Sequence, residues 1–124
     1  MNILIFENEI SYVENAFNYV NLRYFGGKLI IKIISKSQDL GNFKDIQNFD
    51  HVFVDISLAP KSELDGFGII KKIKEEGLEI KKLCIITGNS NIKIRLQELK
   101  IDDYPVIIKP ISFIQLYDHL KKLI

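Results

Sequence analysis

The stretch Val52-Phe53-Val54-Asp55, a short apolar run that ends in a carboxylate, decides the fold class of this chain. Four further runs have the same character, rich in isoleucine and valine with little polar alternation, at positions 3–6, 29–34, 83–86 and 106–108. Runs of this kind are typical of strands that are buried on both faces of a parallel sheet. The sequence therefore predicts an α/β fold built on five parallel strands.

Polar residues follow four of these five runs at the point where each predicted strand ends. They are Glu7, Asn8, Asp55, Thr87 and Lys109. Because the carboxyl ends of parallel strands meet at one edge of the sheet, we expect these side chains to gather there. Acidic side chains together with one hydroxyl and one ammonium form a plausible binding site for a divalent cation and a phosphoryl group.

Helical patterns occupy the segments between the runs. Apolar residues recur at helical spacing in four sets: Val13, Ala16, Phe17 and Val20; Phe67, Ile70 and Ile73; Ile92, Leu96 and Leu99; and Phe113, Leu116, Tyr117, Leu120 and Ile124. Ser112 and Gln115 form a capping box before the last helix, and residues 36–50 carry the least regular pattern. Five β-α units predict one domain over residues 1–124, a doubly wound three-layer sandwich with right-handed crossovers.

Composition argues against several classes of function. The 124 residues carry a formal net charge of +1, so binding of nucleic acid through broad positive charge is not indicated. The single cysteine, Cys84, lies inside an apolar run, and the spacings of zinc ligands are missing. The sequence shows neither a signal peptide nor an apolar stretch long enough to span a membrane. A cytoplasmic location is therefore the expectation.

The order of these motifs resembles one known family. The elements are Glu7-Asn8-Glu9 after the first run, Asp55 after the third, Asp65-Gly66 before a helix, Thr87-Gly88 after the fourth run and Lys109-Pro110 after the fifth. Each motif alone is weak, but together and in this order they are specific. The chain resembles a response-regulator receiver domain, the CheY-like phosphoacceptor module of two-component signalling, over essentially its whole length. The resemblance implies a flavodoxin-like (βα)5 fold with parallel strand order 2-1-3-4-5.

The resemblance also implies a chemistry for the sheet edge. Asp55 would be the phosphoacceptor, forming an acyl phosphate by in-line attack. Glu7, Asn8 and Asp55, with the backbone carbonyl of Ser57, would hold Mg²⁺, the implied cofactor.

Four further positions would serve the phosphoryl group and the switch. Thr87 would donate its hydroxyl to a phosphoryl oxygen, and Lys109 its ammonium. Gly88 matches a position that stays small to leave access, and the Lys109–Pro110 bond is cis in the family.

Three features depart from the family pattern. Asn8 replaces a metal-binding aspartate and brings no charge, so we expect weak binding of Mg²⁺; Glu9 is expected to point elsewhere as a solvated residue at the start of a helix. The loop 56–65 is about three residues longer than usual, and a tolerated surface insertion is the simplest interpretation. Val106 stands where the family has an aromatic ring, while Tyr104 lies about 7 Å away on the same face, so switching is expected to be altered.

The sequence is compatible with three functions. The first is a phosphorylated stand-alone receiver, not an enzyme in its own right, whose partners are a histidine kinase or phosphotransfer protein and a downstream protein target, with the chain a monomer or weak dimer. The second is a pseudo-receiver that binds proteins without phosphorylation, which Asn8 and Val106 favour. The third, a flavodoxin-like cofactor binder, is opposed by the acidic residues after the first strand. Thr87 could also merely cap the next helix, for which Ser90 is a good alternative.

Overall fold

The computed structural model describes residues 1–89, 91–101 and 104–122, and these ranges contain five strands and four α-helices. The strands are β1 (Asn2–Phe6), β2 (Ile30–Ile34), β3 (His51–Asp55), β4 (Leu83–Thr87) and β5 (Val106–Ile108). The helices are α1 (Ile10–Phe25), α2 (Gly66–Glu75), α3 (Ile92–Glu98) and α4 (Phe113–Lys121). No helix within the described ranges is both long and apolar enough to cross a lipid bilayer.

The five strands form one parallel sheet in the order β2-β1-β3-β4-β5, which confirms the predicted strand order. In the register of the sheet, Phe6 lies beside Val54, Asp55 beside Ile86, and Thr87 beside Ile108. The residues that end β1, β3, β4 and β5 therefore lie at nearly the same level along the strands. This alignment brings the polar residues that follow them to one edge.

Each face of the sheet buries its own apolar cluster, as a sheet covered by helices on both sides requires. On one face, Phe17 of α1 and Leu116 of α4 pack with Ile5 and Phe53, and the rings of Phe17 and Phe53 meet edge to face with centroids 4.9 Å apart. On the other face, α2 and α3 cover the alternate residues of the strands, including Leu4, Phe6, Val52, Val54 and Ile85. Burial of each such side chain stabilises the fold by roughly 1.5–3 kcal/mol.

The segment 36–50 differs from the predicted helix. It forms two short 3₁₀-helices, Ser37–Leu40 and Phe43–Asn48, instead of one α-helix. Gly41 has a φ of 82°, and the side chain of Asn42 accepts the N–H of Lys44, so the chain turns between the two helices. Four of the five predicted helices are thus α-helices, and the fifth is replaced by this pair of short 3₁₀-helices.

Four apolar positions are less buried than their helical spacing predicts. Phe67 and Tyr117 are half-buried, while Leu99 and Phe113 are exposed, and Phe113 stacks on Tyr19 of α1. Ser112 does cap α4, because its side chain accepts the N–H of Gln115. The predicted cap Ser90 and the last apolar position, Ile124, lie outside the described residues.

Candidate functional site

A single ammonium joins the ends of β1 and β3 at the carboxyl edge of the sheet. Nζ of Lys109 forms hydrogen bonds with Oδ2 of Asp55 and, at 2.6 Å, with Oε1 of Glu7. Both carboxylates are almost completely removed from solvent, and the lysine side chain is 16% exposed. The predicted gathering of Glu7, Asp55 and Lys109 is therefore present in the structure.

Backbone hydrogen bonds fix these three residues to the sheet. The N–H of Glu7 donates to the carbonyl of Ile34, and the N–H of Lys109 donates to the carbonyl of Thr87 at 2.8 Å. The Lys109–Pro110 peptide bond is cis, as the resemblance implies. The N–H of Ser57 donates to Oδ1 of Asp55 at 2.8 Å, so that the carboxylate is held on both of its oxygens.

Burial controls the charges in this cluster. Burial, together with the neighbouring Asp55, raises the pKa of Glu7 to about 8, although Lys109 acts in the opposite direction. Partial burial lowers the pKa of Lys109, but its hydrogen bonds with Asp55 and Glu7 and their negative charges outweigh this, so the pKa is raised overall. Oε2 of Glu7 is buried and has no hydrogen-bond partner in the described structure.

Gly66, the first residue of α2, permits the close approach of this helix to the phosphoacceptor candidate. A Cβ atom at this position would lie 2.5 Å from Cα of Ile56 and would also overlap the carbonyl oxygen of Asp55. The N–H of Gly66 donates to the carbonyl of Ile56 at 3.0 Å, and the side chain of Asp65 caps the helix by accepting the N–H of Gly68. The Asp65-Gly66 motif thus serves the backbone of the site as well as the start of α2.

Thr87 ends β4 beside this cluster and is 4% exposed. Its Oγ1 accepts the N–H of Asn89 at 3.1 Å, which orders the turn after the strand. Thr87 therefore does not cap α3, whose N-cap residue is Asn91. A Cβ atom added to Gly88 would meet no atom within 4 Å, so this position opens toward solvent, in keeping with the expected access.

Asn8 and Glu9 complete the loop after β1, and both are exposed. The backbone N–H of Glu9 donates to Oε1 of Glu7 at 3.3 Å. The carboxylate of Glu9 lies 3.9 Å from Nζ of Lys109. Glu9 is thus a solvated residue at the start of α1, as expected, but the expectation that it points away from the site is wrong, because its side chain turns back toward the lysine.

Tyr12 of α1 is a contact that the sequence did not reveal. Its hydroxyl accepts the N–H of Ile111 at 2.8 Å, and its ring centroid lies 5.9 Å from Nζ of Lys109. Tyr12 thus holds the loop that follows Lys109 and Pro110 against the first turn of α1. The helical pattern gave no signal for it, because Tyr12 lies outside the buried stripe.

Tyr104 and Val106 pack against the same apolar cluster as Ile85, as the expected shared face requires. Val106 lies beside Ile85 in the register of the sheet, while Thr87 lies beside Ile108. Tyr104 therefore lies four residues before Ile108, the neighbour of Thr87 in the sheet. In an extended chain this separation is about 13 Å. Its ring centroid lies 5.3 Å from Nζ of Lys74 on α2.

The long loop after Asp55 is bonded to the segment that follows β2. The hydroxyl of Ser62 accepts the N–H of Ser37 at 2.8 Å, and the N–H of Leu64 donates to Oγ of Ser37 at 3.0 Å. Gln38 adds bonds from its side-chain amide to the carbonyl of Lys61 and from the N–H of Glu63 to its side-chain oxygen. These bonds hold the loop on the β2 side of the site.

Solved structures that resemble this one include receiver domains of response regulators. The signal receiver domain of a DNA-binding response regulator from Colwellia psychrerythraea superposes with a TM-score of 0.78 at 21% identity, covering 99% of this chain and 97% of that one. A CheY-like receiver domain protein from Methanospirillum hungatei gives 0.72 at 18% identity, covering 98% and 92%.

The chain has the receiver fold. The response regulatory domain of the Klebsiella pneumoniae protein MrkE agrees, with a TM-score of 0.73, 21% identity, and coverage of 99% of this chain and 94% of that one. No family model matches the sequence, and no curated protein matches it. The structural comparison thus confirms the fold that the ordered motifs of the sequence predict.

The oxygen donors at this receiver site fit a hard divalent cation such as Mg²⁺, which binds one or two carboxylates and keeps several waters. Glu7 offers a buried carboxylate oxygen that has no hydrogen-bond partner in the described structure, and Asn8, Asp55 and the carbonyl of Ser57 complete the set that could hold the ion. Within residues 1–89, 91–101 and 104–122, no three His, Cys, Asp or Glu side chains are already placed so that they could hold a metal ion together. The ammonium of Lys109 instead lies between the two carboxylates.

Proposed function

We propose that this chain is a phosphoacceptor receiver of a two-component signalling system, phosphorylated on Asp55 in a Mg²⁺-dependent reaction. The observation that supports the proposal most strongly is the contact of Nζ of Lys109 with both Asp55 and Glu7. Together with Thr87 at the adjacent strand end, this gives one nucleophile, one fixed cation and one hydroxyl at a single edge.

The residues suggest how the phosphoryl group would be transferred. Oδ2 of Asp55 attacks the phosphorus of the donor, the bond from phosphorus to the leaving group breaks, and the leaving group departs with the electron pair. The N–H of Ser57 holds Oδ1 and thereby orients the attacking oxygen. The ammonium of Lys109 lies beside Oδ2, where it can pair with the negatively charged oxygens of the incoming phosphoryl group. Glu7, Asn8, Asp55 and the carbonyl of Ser57 would hold Mg²⁺, which would offset the negative charge of the same oxygens.

The partners follow from this chemistry. The donor would be a histidine kinase or a phosphotransfer protein, and the output would be a changed affinity for a downstream protein. Such a receiver acts in the cytoplasm and has no enzymatic turnover of its own. Because Val106 has no ring to rotate and Tyr104 is far along the chain from Thr87, contacts of Thr87, residues 88–91 and the loop 56–65 would have to carry the signal.

Beryllium fluoride, a phosphoryl mimic, tests this proposal directly. With Mg²⁺ present, we expect amide shifts at Asp55, Thr87 and Lys109 that spread to residues 56–65 and 87–91, and no such shifts in Asp55→Asn. A response that Tyr104→Ala abolishes would show that the tyrosine transmits the signal instead. An unchanged wild-type spectrum would contradict phosphoacceptance.

The second candidate is a pseudo-receiver that binds a protein without phosphorylation. The observation that favours it is the exposed, uncharged Asn8 at the position of a metal-binding aspartate. Under this alternative, Asp55→Asn would leave partner binding unchanged whether or not a phosphodonor is present. A receiver that signals by phosphorylation would lose the effect of the donor in the same variant.

A further inference from the structure

Three carboxylates approach the ammonium of Lys109, although the loop after β1 lacks the expected second acid. Glu7 and Asp55 form hydrogen bonds with Nζ, and Oε1 of Glu9 lies 3.9 Å from it. The side chain of Glu9 is 70% exposed, whereas that of Glu7 is completely buried. The carboxylate of Glu9 therefore lies at the solvent-exposed side of the cluster, and the carboxylates of Glu7 and Asp55 lie at its buried side.

We propose that Glu9 supplies the negative charge that Asn8 lacks, so that the cation site of this chain keeps three carboxylates, namely Glu7, Glu9 and Asp55. This inference rests on the proposed function, since it concerns the same Mg²⁺. It assigns to Glu9 a role that its position next to a helix start did not suggest.

The backbone explains why Glu9 can take this role. Glu9 is the N-cap residue of α1. Its N–H donates to Oε1 of Glu7, so the backbone of Glu9 is bound to this buried carboxylate. Its side chain makes no capping hydrogen bond in α1 and is left to reach across the site toward Lys109. A glutamate is long enough to follow a cation that displaces the ammonium.

The unpartnered Oε2 of Glu7 supports a ligand at this point independently of Glu9. This atom is buried without a hydrogen bond in the described structure, and an unpaired buried carboxylate oxygen is costly. A cation between Glu7 and Asp55 would satisfy it. Oε1 of Glu9 lies 3.9 Å from the ammonium that this cation would displace, so its charge would lie close enough to the cation to raise the affinity.

Calorimetric titration of Mg²⁺ into four variants tests the role of Glu9 without requiring phosphorylation. Glu9→Gln keeps the length of the side chain and the backbone hydrogen bond but removes the charge, and we expect it to weaken Mg²⁺ binding roughly three- to tenfold. Glu14→Gln, at an exposed position on α1, is the matched control and should leave the affinity unchanged. Asn8→Asp should tighten binding, and Asn8→Asp combined with Glu9→Gln should restore the wild-type affinity.

Two results would overturn the inference about Glu9. Equal affinities of the wild type and Glu9→Gln, or equal losses in Glu9→Gln and Glu14→Gln, would show that Glu9 has no specific part in the site. A wild type that does not bind Mg²⁺ would also contradict it, because Glu9 would have restored nothing. If Glu9→Gln leaves the affinity for Mg²⁺ unchanged, the role of Glu9 is contradicted but phosphorylation of Asp55 is not. The two claims can therefore be tested separately.

Discussion

Lys109 and Glu7 lie 102 positions apart in the chain, and their side chains form a hydrogen bond of 2.6 Å. Asp55 meets the same ammonium. Two buried carboxylates are thus held together by one partly buried lysine, and removal of one member of such a group leaves uncompensated charge. The stability of the fold and the chemistry of the site therefore depend on the same side chain.

The substitution Lys109→Met should destabilise the protein by about 3 kcal/mol in alkaline solution, where both carboxylates of the wild type are ionised. The reason is that Glu7 and Asp55 would face each other without a cation. Urea denaturation measures the loss, and Lys109→Met combined with Asp55→Asn should recover part of it. A single variant as stable as the wild type would show that the contacts of the lysine are energetically neutral.

Gly66→Ala should destabilise the fold by roughly 1–3 kcal/mol and slow phosphorylation of Asp55, because the added methyl group would collide with the backbone of Asp55 and Ile56. Thermal unfolding and the rate of phosphorylation by a small phosphodonor measure the two effects. Gly88→Ala is the control for thermal unfolding, since a Cβ atom there meets nothing within 4 Å. Similar behaviour of the two variants would contradict the close approach of α2 to the end of β3.

Tyr12→Phe should cost about 1 kcal/mol of stability, because the N–H of Ile111 loses the hydroxyl that accepts it. Amide exchange at Ile111 should accelerate in this variant. Tyr19→Phe, which changes a tyrosine of α1 whose ring stacks on Phe113, should leave the exchange at Ile111 unchanged. Protection of Ile111 that survives Tyr12→Phe would mean that the loop after Pro110 is held by other contacts.

Local patterns in the sequence are sufficient for the parts of this structure that depend on strands and their ends. The apolar runs around Val54 and Ile85 specify buried parallel strands, and the polar residues that end them converge because parallel strands share an edge. The resemblance supplied the strand order and predicted that Asp55 and Lys109 would meet.

The remaining features depend on tertiary contacts that no local pattern contains. Ser37 and Gln38 use their side chains to hold the loop 56–65, which favours short 3₁₀-helices over the predicted α-helix. Tyr12 meets Ile111 only because of the way α1 crosses the end of β5. The orientation of Glu9 is likewise set by a turn of the backbone that alternation along a strand does not describe.

His51 should make the stability of the protein depend on pH. Burial, with smaller contributions from the charges of His119 and Lys82, lowers the pKa of His51 from 6.5 to about 4, although a hydrogen bond with the backbone of Val52 acts in the opposite direction. Between these two values the unfolded chain binds a proton that the folded chain does not, so stability falls as pH decreases from 6.5 to about 4. At about 1.4 kcal/mol per pKa unit, the loss that this histidine causes is about 3 kcal/mol.

The variant His51→Phe separates this effect from the titration of carboxylates. Phenylalanine keeps the stacking of ring 51 on Phe53, whose centroids lie 4.1 Å apart, and removes the titrating group. Denaturation across this pH range should give a shallower decline for the variant than for the wild type. His119→Gln, at a half-buried position, is the comparison and should change the slope less. Parallel curves for the wild type and His51→Phe would contradict the burial of a neutral imidazole.

The central claim is that Asp55 accepts a phosphoryl group, and intact-mass spectrometry after incubation with acetyl phosphate and Mg²⁺ tests it most directly. We expect one phosphoryl adduct on the wild type, its loss when Mg²⁺ is chelated, and no adduct on Asp55→Asn. The adduct should also be acid-stable and base-labile, as an acyl phosphate is. An adduct that persists in Asp55→Asn, or a wild type that stays unmodified with every phosphodonor, would contradict the claim.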